Sequence, residues 1–166
     1  MTAPSFRYAI ALGGNRRTRH GGPRDTLIAA CAALSDAGLT IDRVSPIIPT
    51  PAMGPAGRSF ANAAILVTTP LRPDALLLVL KQIERAFGRR RGQRWGPRPL
   101  DLDILLWSGG VWPQHHRTAA PGRLQVPHIG LPARRFVLDP LVQIAPRWTL
   151  PGTRRTIAQL HARAKG

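Results

Sequence analysis

An α+β fold is predicted for this chain, an antiparallel sheet carrying helices, and three observations predict it. Short apolar runs closed by glycine or proline, such as "FRYAIALGG" and "FANAAILVTTP", read as buried strands. Two longer segments opened by proline and followed by glycine carry apolar residues three and four apart, as amphipathic helices do. These elements come in the order strand, helix, strand, strand, helix, strand, which is the ferredoxin-like arrangement with both helices on one face of the sheet.

Phe6 to Gly14 is the first strand. Pro23 opens a helix in which Leu27, Ile28, Cys31 and Leu34 recur at helical spacing and Gly38 marks the stop. In "LTIDRVSPII" the apolar Leu39 and Ile41 alternate with Thr40 and Asp42 as in a strand, but the rhythm slips at Arg43 and Val44. "PTPAMGPAGRS" holds three prolines and two glycines among small residues and is read as a shaped loop. "FANAAILVTTP" is the next strand, and "RPDALLLVLKQIERAFG", from Arg72, the second helix. The basic loop "RRRGQRWGPRP" leads into the strand "LDLDILLW". A Gly/Pro/His-rich connection follows, with a last helix beginning near Thr153 as a C-terminal extension.

With 166 residues, a 43% hydrophobic fraction and no internal repeat, the whole chain, 1–166, is expected to fold as one domain around one core. Lys plus Arg number 24 against 8 Asp plus Glu, a net charge of +16 carried almost wholly by arginine, so the surface attracts polyanions such as phosphate esters, nucleic acid or acidic lipid. Cys31 is the only cysteine, which excludes a disulfide framework and a cysteine-built zinc site. No apolar run approaches the roughly 20 residues of a membrane span, and "MTAPSFRYAIALGGN" lacks a secretory pattern. The expectation is a soluble, cytoplasmic protein without a membrane partner.

Against that basic background, "RWGPRPLDLDILLW" places two aspartates in one strand. Residues two apart on a strand face the same side, about 6.6 Å apart along its axis, so Asp101 and Asp103 project together while Leu102, Ile104 and Leu106 take the opposite face. Like charges that close raise each other's pKa unless a cation neutralises them. Two readings are open at this point. The acids pair with arginines of the neighbouring loop, or they bind a hard divalent ion, magnesium above all, beside phosphate oxygens. Arg89, Arg90, Arg91, Arg94 and Arg98 fall within ten positions, next to Trp95 and among Gly88, Gly92 and Gly96. Metal ions on phosphate oxygens, with guanidinium groups absorbing transition-state charge, are the parts of phosphoryl-transfer catalysis. A P-loop signature, a dinucleotide fingerprint and a convincing Ser, His and acid set are all missing.

Taken with "ALGGN", "TPAMGP", "FANAA" and "VPHIGLPARRFVLDPLVQIAP", in that order, the "RWGPRPLDLDILL" segment resembles the 6-hydroxymethyl-7,8-dihydropterin pyrophosphokinase family from about Tyr8 to the last helix. The resemblance implies transfer of pyrophosphate from ATP to the hydroxymethyl group of a reduced pterin, with release of AMP, in folate biosynthesis. By it, Asp101 and Asp103 hold two Mg²⁺ ions on the phosphates, and Arg89 and Arg98 join them as catalytic residues. It also implies that Phe60 and Phe136 stack on the pterin and that Asn62 reads the ring edge, with backbone groups of Thr50, Pro51 and Met53. For ATP it points to Glu84, Arg91, Trp95, Ile104, Arg123, Leu124, His128 and Arg134. His115 and His116 lie in a stretch that the family pattern does not cover and receive no role. The loop between Arg89 and Trp95 is about one residue shorter than a common family form, "SGGVWPQHHRTAAPG" is longer, and Ile129 and Gln125 stand where a tyrosine and a threonine are frequent. Arg134 and Arg135 are adjacent, which leaves the register of the nucleotide arginine open by one place. A monomer acting on two small molecules is expected, without a specific nucleic acid. The alternative that the charge of +16 supports is a basic RNA-binding module.

Overall fold

The computed structural model describes residues 3–50, 59–89, 98–114 and 123–164. Strand β1 (Phe6–Gly14) is followed by helix α1 (Pro23–Asp36), β2 (Thr40–Val44), β3 (Ile48–Thr50) and β4 (Phe60–Thr69). Helix α2 (Pro73–Ala86), β5 (Asp101–Trp107), α3 (Arg135–Ile144) and α4 (Ile157–Arg163) complete the order. The sheet runs β2-β4-β1-β5, all antiparallel, with β3 paired further along the same edge of β4 as β2. Leaving β3 aside, that is the strand order and helix placement of a ferredoxin-like unit, as the element order implies.

The two central strands, β1 and β4, are buried on both sides, and each face has its own apolar layer. Tyr8, Ile10 and Leu12 of β1 and Ile65 and Val67 of β4 meet Leu27 and Leu34 of α1 and Leu76 and Leu80 of α2. Tyr8, wholly buried, gives its hydroxyl proton to the Leu71 carbonyl at 2.6 Å, and burial pushes its ionisation well above the ordinary phenol range. The opposite face presents Ala9, Ala64, Leu66, Leu105 and Leu106 to Val137, Leu138 and Leu141 of α3 and to Ile157 and Leu160 of α4. The C-terminal extension is thus the second layer of the domain.

Three local features depart from the expectation. The "connection" before the C terminus contains α3, despite Pro140 inside it; five of its ten residues are buried along one side, and that tertiary burial outweighs the missing backbone donor. Pro49 and Thr50, the first residues of the proline-rich loop, join Ile48 in β3 on the edge of β4, since Ser45 carries the chain along that edge by exchanging bonds with Ala64. Helix α4 starts at Ile157, where Thr156 and Gln159 form a reciprocal capping box. The slip of rhythm at Arg43 coincides with a register shift between Ile41 and Arg43 against β4.

A second irregularity corrects the predicted faces of β5. Ile10 pairs with Ile104 and Ala9 with Leu106, so Leu105 is an extra residue bulged out of register with β1. Asp101, Asp103 and Leu105 share one face while Leu102 and Ile104 take the other. Past the bulge, Leu106 joins the face of Leu105 instead of opposing it.

Candidate active site

The side of the sheet covered by α3 and α4 is covered only in part, and the remainder is the floor of a cavity of about 530 Å³. The register sets that floor. Gly13 of β1 lies between Asn62 of β4 and Asp101 of β5, and in the next row Ala11 lies between Ala64 and Asp103. Neighbouring strands are about 4.8 Å apart, so the amide and the carboxylate stand roughly 10 Å from each other across a residue with no side chain. Phe60, Asn62 and Phe136 line one part of the cavity; Asp101, Asp103, Arg98, His128 and Arg134 line the part nearer β5. Phe60 and Phe136 are 40% and 46% exposed, large aromatic surfaces open to the cavity rather than packed into the core.

Asp101 is held by two guanidinium groups: Arg89 donates to Oδ1 at 3.0 Å, and Arg98 approaches both oxygens at 3.4 Å. Arg89 also donates to Glu84, which accepts from Lys81 at 2.9 Å. Glu84 is 1% exposed and faces these two cations rather than the cavity. With Asp103, the cluster holds three cations (Lys81, Arg89, Arg98) and three anions (Glu84, Asp101, Asp103). Asp103 is exposed and forms no ion pair among the described residues. Asp101 is thus salt-bridged to arginine, as the first reading of the aspartates has it, and both aspartates line the cavity.

Arg98 is fixed from behind. Its N–H donates to Asn15 Oδ1 at 2.9 Å and its carbonyl accepts from the Asn15 N–H at 3.2 Å. Gly14 makes that approach possible, because a Cβ there would lie 2.7 Å from the Pro99 carbonyl oxygen. Asn15 also lines the cavity, and "GGN" was the available signal for it, although no role was assigned to that asparagine.

His128 is placed by the bulge, for its N–H donates to the carbonyl of Leu105 at 3.0 Å. Its Nδ1 accepts from the Gly130 N–H at 3.0 Å, so the neutral ring carries its proton on Nε2. Burial holds its pKa below the usual histidine range, opposed by Asp103 and reinforced by Arg134. The two adjacent arginines point in different directions. Arg134 lines the cavity, whereas Arg135 turns away to Asp139 at 3.5 Å and the Ala164 carbonyl at 3.0 Å.

Asn62 spends one amide proton on Thr50 Oγ1 at 2.9 Å, which keeps its carbonyl oxygen and second proton for a ligand. Ile104 is buried in the layer under α1 and α2, Leu124 packs against that layer, and Arg123 is exposed; none of the three lines the cavity. Pro51, Met53, Arg91 and Trp95 lie outside the described residues, as do His115 and His116.

Two carboxylates, an imidazole donor and several guanidinium groups facing open aromatic surfaces suit a phosphate-bearing substrate beside a flat ring. The chain matches the family described as 7,8-dihydro-6-hydroxymethylpterin-pyrophosphokinase (HPPK) over residues 9–146. It is 38% identical over 152 residues to a Synechocystis sp. protein named 2-amino-4-hydroxy-6-hydroxymethyldihydropteridine pyrophosphokinase, covering 91% of this chain and 72% of that one. A Pseudomonas aeruginosa protein of the same name is 39% identical over 150 residues, covering 89% and 86%. Among solved structures, a Plasmodium falciparum HPPK-DHPS superposes with a TM-score of 0.66 at 14% identity, over 96% of this chain and 43% of that one, a likeness of fold. Family match, relatives and architecture agree: the chain belongs to the 7,8-dihydro-6-hydroxymethylpterin-pyrophosphokinase family, the pyrophosphokinases of folate biosynthesis.

Proposed function

We propose that this chain transfers the terminal pyrophosphate of ATP to the hydroxymethyl group of 6-hydroxymethyl-7,8-dihydropterin, releasing AMP, with the residues of the β1, β4 and β5 cavity in the roles that follow. The observation that carries the reading is the row Asn62, Gly13, Asp101, which puts a ring-reading amide and a phosphate-side acid on one floor at a separation suited to two adjacent substrates. Phe60 and Phe136 stack on the pterin faces. Asn62, already oriented by Thr50, hydrogen-bonds the ring edge and excludes rings with the wrong donor pattern.

On the phosphate side, His128 donates its Nε2 proton to a phosphoryl oxygen, and Arg134 adds charge at the same wall. When the triphosphate enters, Arg98 and Arg89 exchange part of their hold on Asp101 for phosphate oxygens and absorb the charge that develops on the leaving AMP side. The donor set fits magnesium. Among the described residues no group of three His, Cys, Asp or Glu forms a resident metal cage, but Mg²⁺ is commonly held by one or two carboxylates completed by substrate phosphates. Asp101 and Asp103 would hold two such ions, which supply charge neutralisation and alignment of the phosphates when bound. The protein acts as a cytoplasmic monomer on two small molecules, without a specific nucleic acid; among the described residues no helix is long and apolar enough to cross a membrane.

The test is AMP release measured with ATP and Mg²⁺, with and without the hydroxymethyl pterin. AMP is expected only when all three are present, and Asp101→Ala is expected to lower turnover by a factor of about 10³ or more. Pterin-independent AMP, or an Asp101→Ala variant with full turnover, would sink the reading. Salt-sensitive RNA binding that Asp101→Ala strengthens, with no turnover in the parent protein, would favour the basic RNA-binding module instead.

A further inference from the structure

Behind the stem that presents Arg98 lies a second cavity, of about 300 Å³, lined by Arg16, Arg17, Thr18, Arg19, His20, Ala86, Phe87, Gly88 and Pro99. Three arginines and a histidine line it, and among the described residues no acidic one does. Among the described residues Arg16 and Arg17 make no hydrogen bond or ion pair, and Arg19 donates only to its neighbour His20, at 3.3 Å. The acid-poor composition alone produces exposed arginines. It does not produce three of them around a concavity on a loop whose backbone is fixed.

That loop is fixed. Thr18 and Gly21 exchange backbone bonds at 2.8 and 3.1 Å, Gly21 adopts φ 119°, and the Thr18 hydroxyl bonds that of Thr26 in the first turn of α1 at 2.8 Å. The His20 ring packs on Phe87, centroids 4.7 Å apart, which ties the loop to the end of α2. The C-terminal end of α2 opposes an anion, with the equivalent of about half a negative charge. Its last carbonyls are engaged, however: Phe87, Gly88 and Arg89 donate to Ile83, Arg85 and Glu84. Three arginines carried on a held backbone outweigh the remainder.

We infer that this cavity is a second anion site, separate from the reaction cavity, and that it takes a small phosphate-bearing molecule of diphosphate size. The shape favours a small molecule over a polymer: the volume is at the lower end of ligand clefts, and Phe87 and Pro99 form its walls. Its two partners in sequence face different cavities, since Asn15 and Arg98 line the first while Arg16 and Pro99 line the second. An anion here would sit against the stem whose other side carries the catalytic arginine. The inference stands on this geometry and is independent of the pterin chemistry.

The test is titration of the ¹⁵N-labelled full chain with inorganic diphosphate, without Mg²⁺, followed by amide NMR. Saturable shifts are expected at residues 16–20 and 87–88, separately from any at Asp101 and Asp103. In Arg17→Ala/Arg19→Ala the first set should need about tenfold or more diphosphate, while the second set and the thermal midpoint stay unchanged. The inference is overturned if residues 16–20 do not shift saturably, if the double variant binds there as the parent does, or if only an RNA oligonucleotide moves them.

Discussion

On the proposed function, Glu84 acts through a neighbour. Resemblance alone points it at the nucleotide; its burial and its pairing with Lys81 and Arg89 make it the residue that aims Arg89 at Asp101. Truncating one member of a buried charge cluster leaves its partners uncompensated, although Lys81 and Arg89 are 39% and 31% exposed and solvent softens the loss. Glu84→Gln keeps the shape and one hydrogen bond but removes the charge, so turnover should fall about tenfold with the KM for ATP moving less than threefold. Steady-state kinetics of that variant, beside a melting curve showing it folded, would decide; an unchanged kcat would reduce Glu84 to a packing residue. Such a role could not be read from "KQIERAFG", because spacing within a helix says nothing of the strand and loop that lie over it. The aspartate pair was legible for the opposite reason, since two acids two apart on a regular stretch of strand share a face, and the bulge at Leu105 falls beyond them.

At the scale of elements, the β1 end and the β5 start form one device. Gly14 permits the Pro99 carbonyl to come close, Asn15 clasps Arg98 through both backbone groups, and the clasp carries the arginine to the cavity. In Gly14→Ala the new methyl would lie 2.7 Å from a backbone oxygen that cannot swing away. Overpacking of this kind costs about 1 to 3 kcal/mol, so the variant should unfold at lower denaturant and lose turnover out of proportion to stability as Arg98 shifts. Denaturation midpoints and kcat measured together check it, and a variant equal to the parent in both would mean that the stem relaxes freely. The bulge at Leu105 is a second device of this kind, ending the alternation of β5 and offering the carbonyl that seats His128. Alternating apolar and acidic residues announced the strand; the extra residue showed only in pairing with β1.

Over the whole molecule, a charge of +16 surrounds a cavity whose Asp101 is paired with Arg89 and Arg98 among the described residues. On the proposed function, the long-range field would bring polyanionic substrate in, and short-range pairing would act once it is bound. Screening acts on the first: raising salt from about 50 mM to about 0.5 M shortens the Debye length from roughly 14 Å to 4 Å. The KM for ATP should then rise several-fold at constant free Mg²⁺, with kcat within about twofold; a salt-insensitive KM would show that the excess charge plays no part in capture.

The order of the six elements of the ferredoxin-like unit, their strand and helix periods and the acid pair were decided by the sequence alone, because each depends on spacings within a few residues of one another along the chain. The family resemblance extended that reach to Phe60, Asn62, His128 and Phe136, which the cavity does bring together. Tertiary structure alone decided that α3 forms despite Pro140, that Arg134 rather than Arg135 faces the cavity, that Asn15 anchors Arg98, and that Glu84 of α2 and Asp101 of β5 share Arg89. Each of those rests on a contact between segments far apart in the chain, and such contacts are set by how the two faces of the sheet are buried.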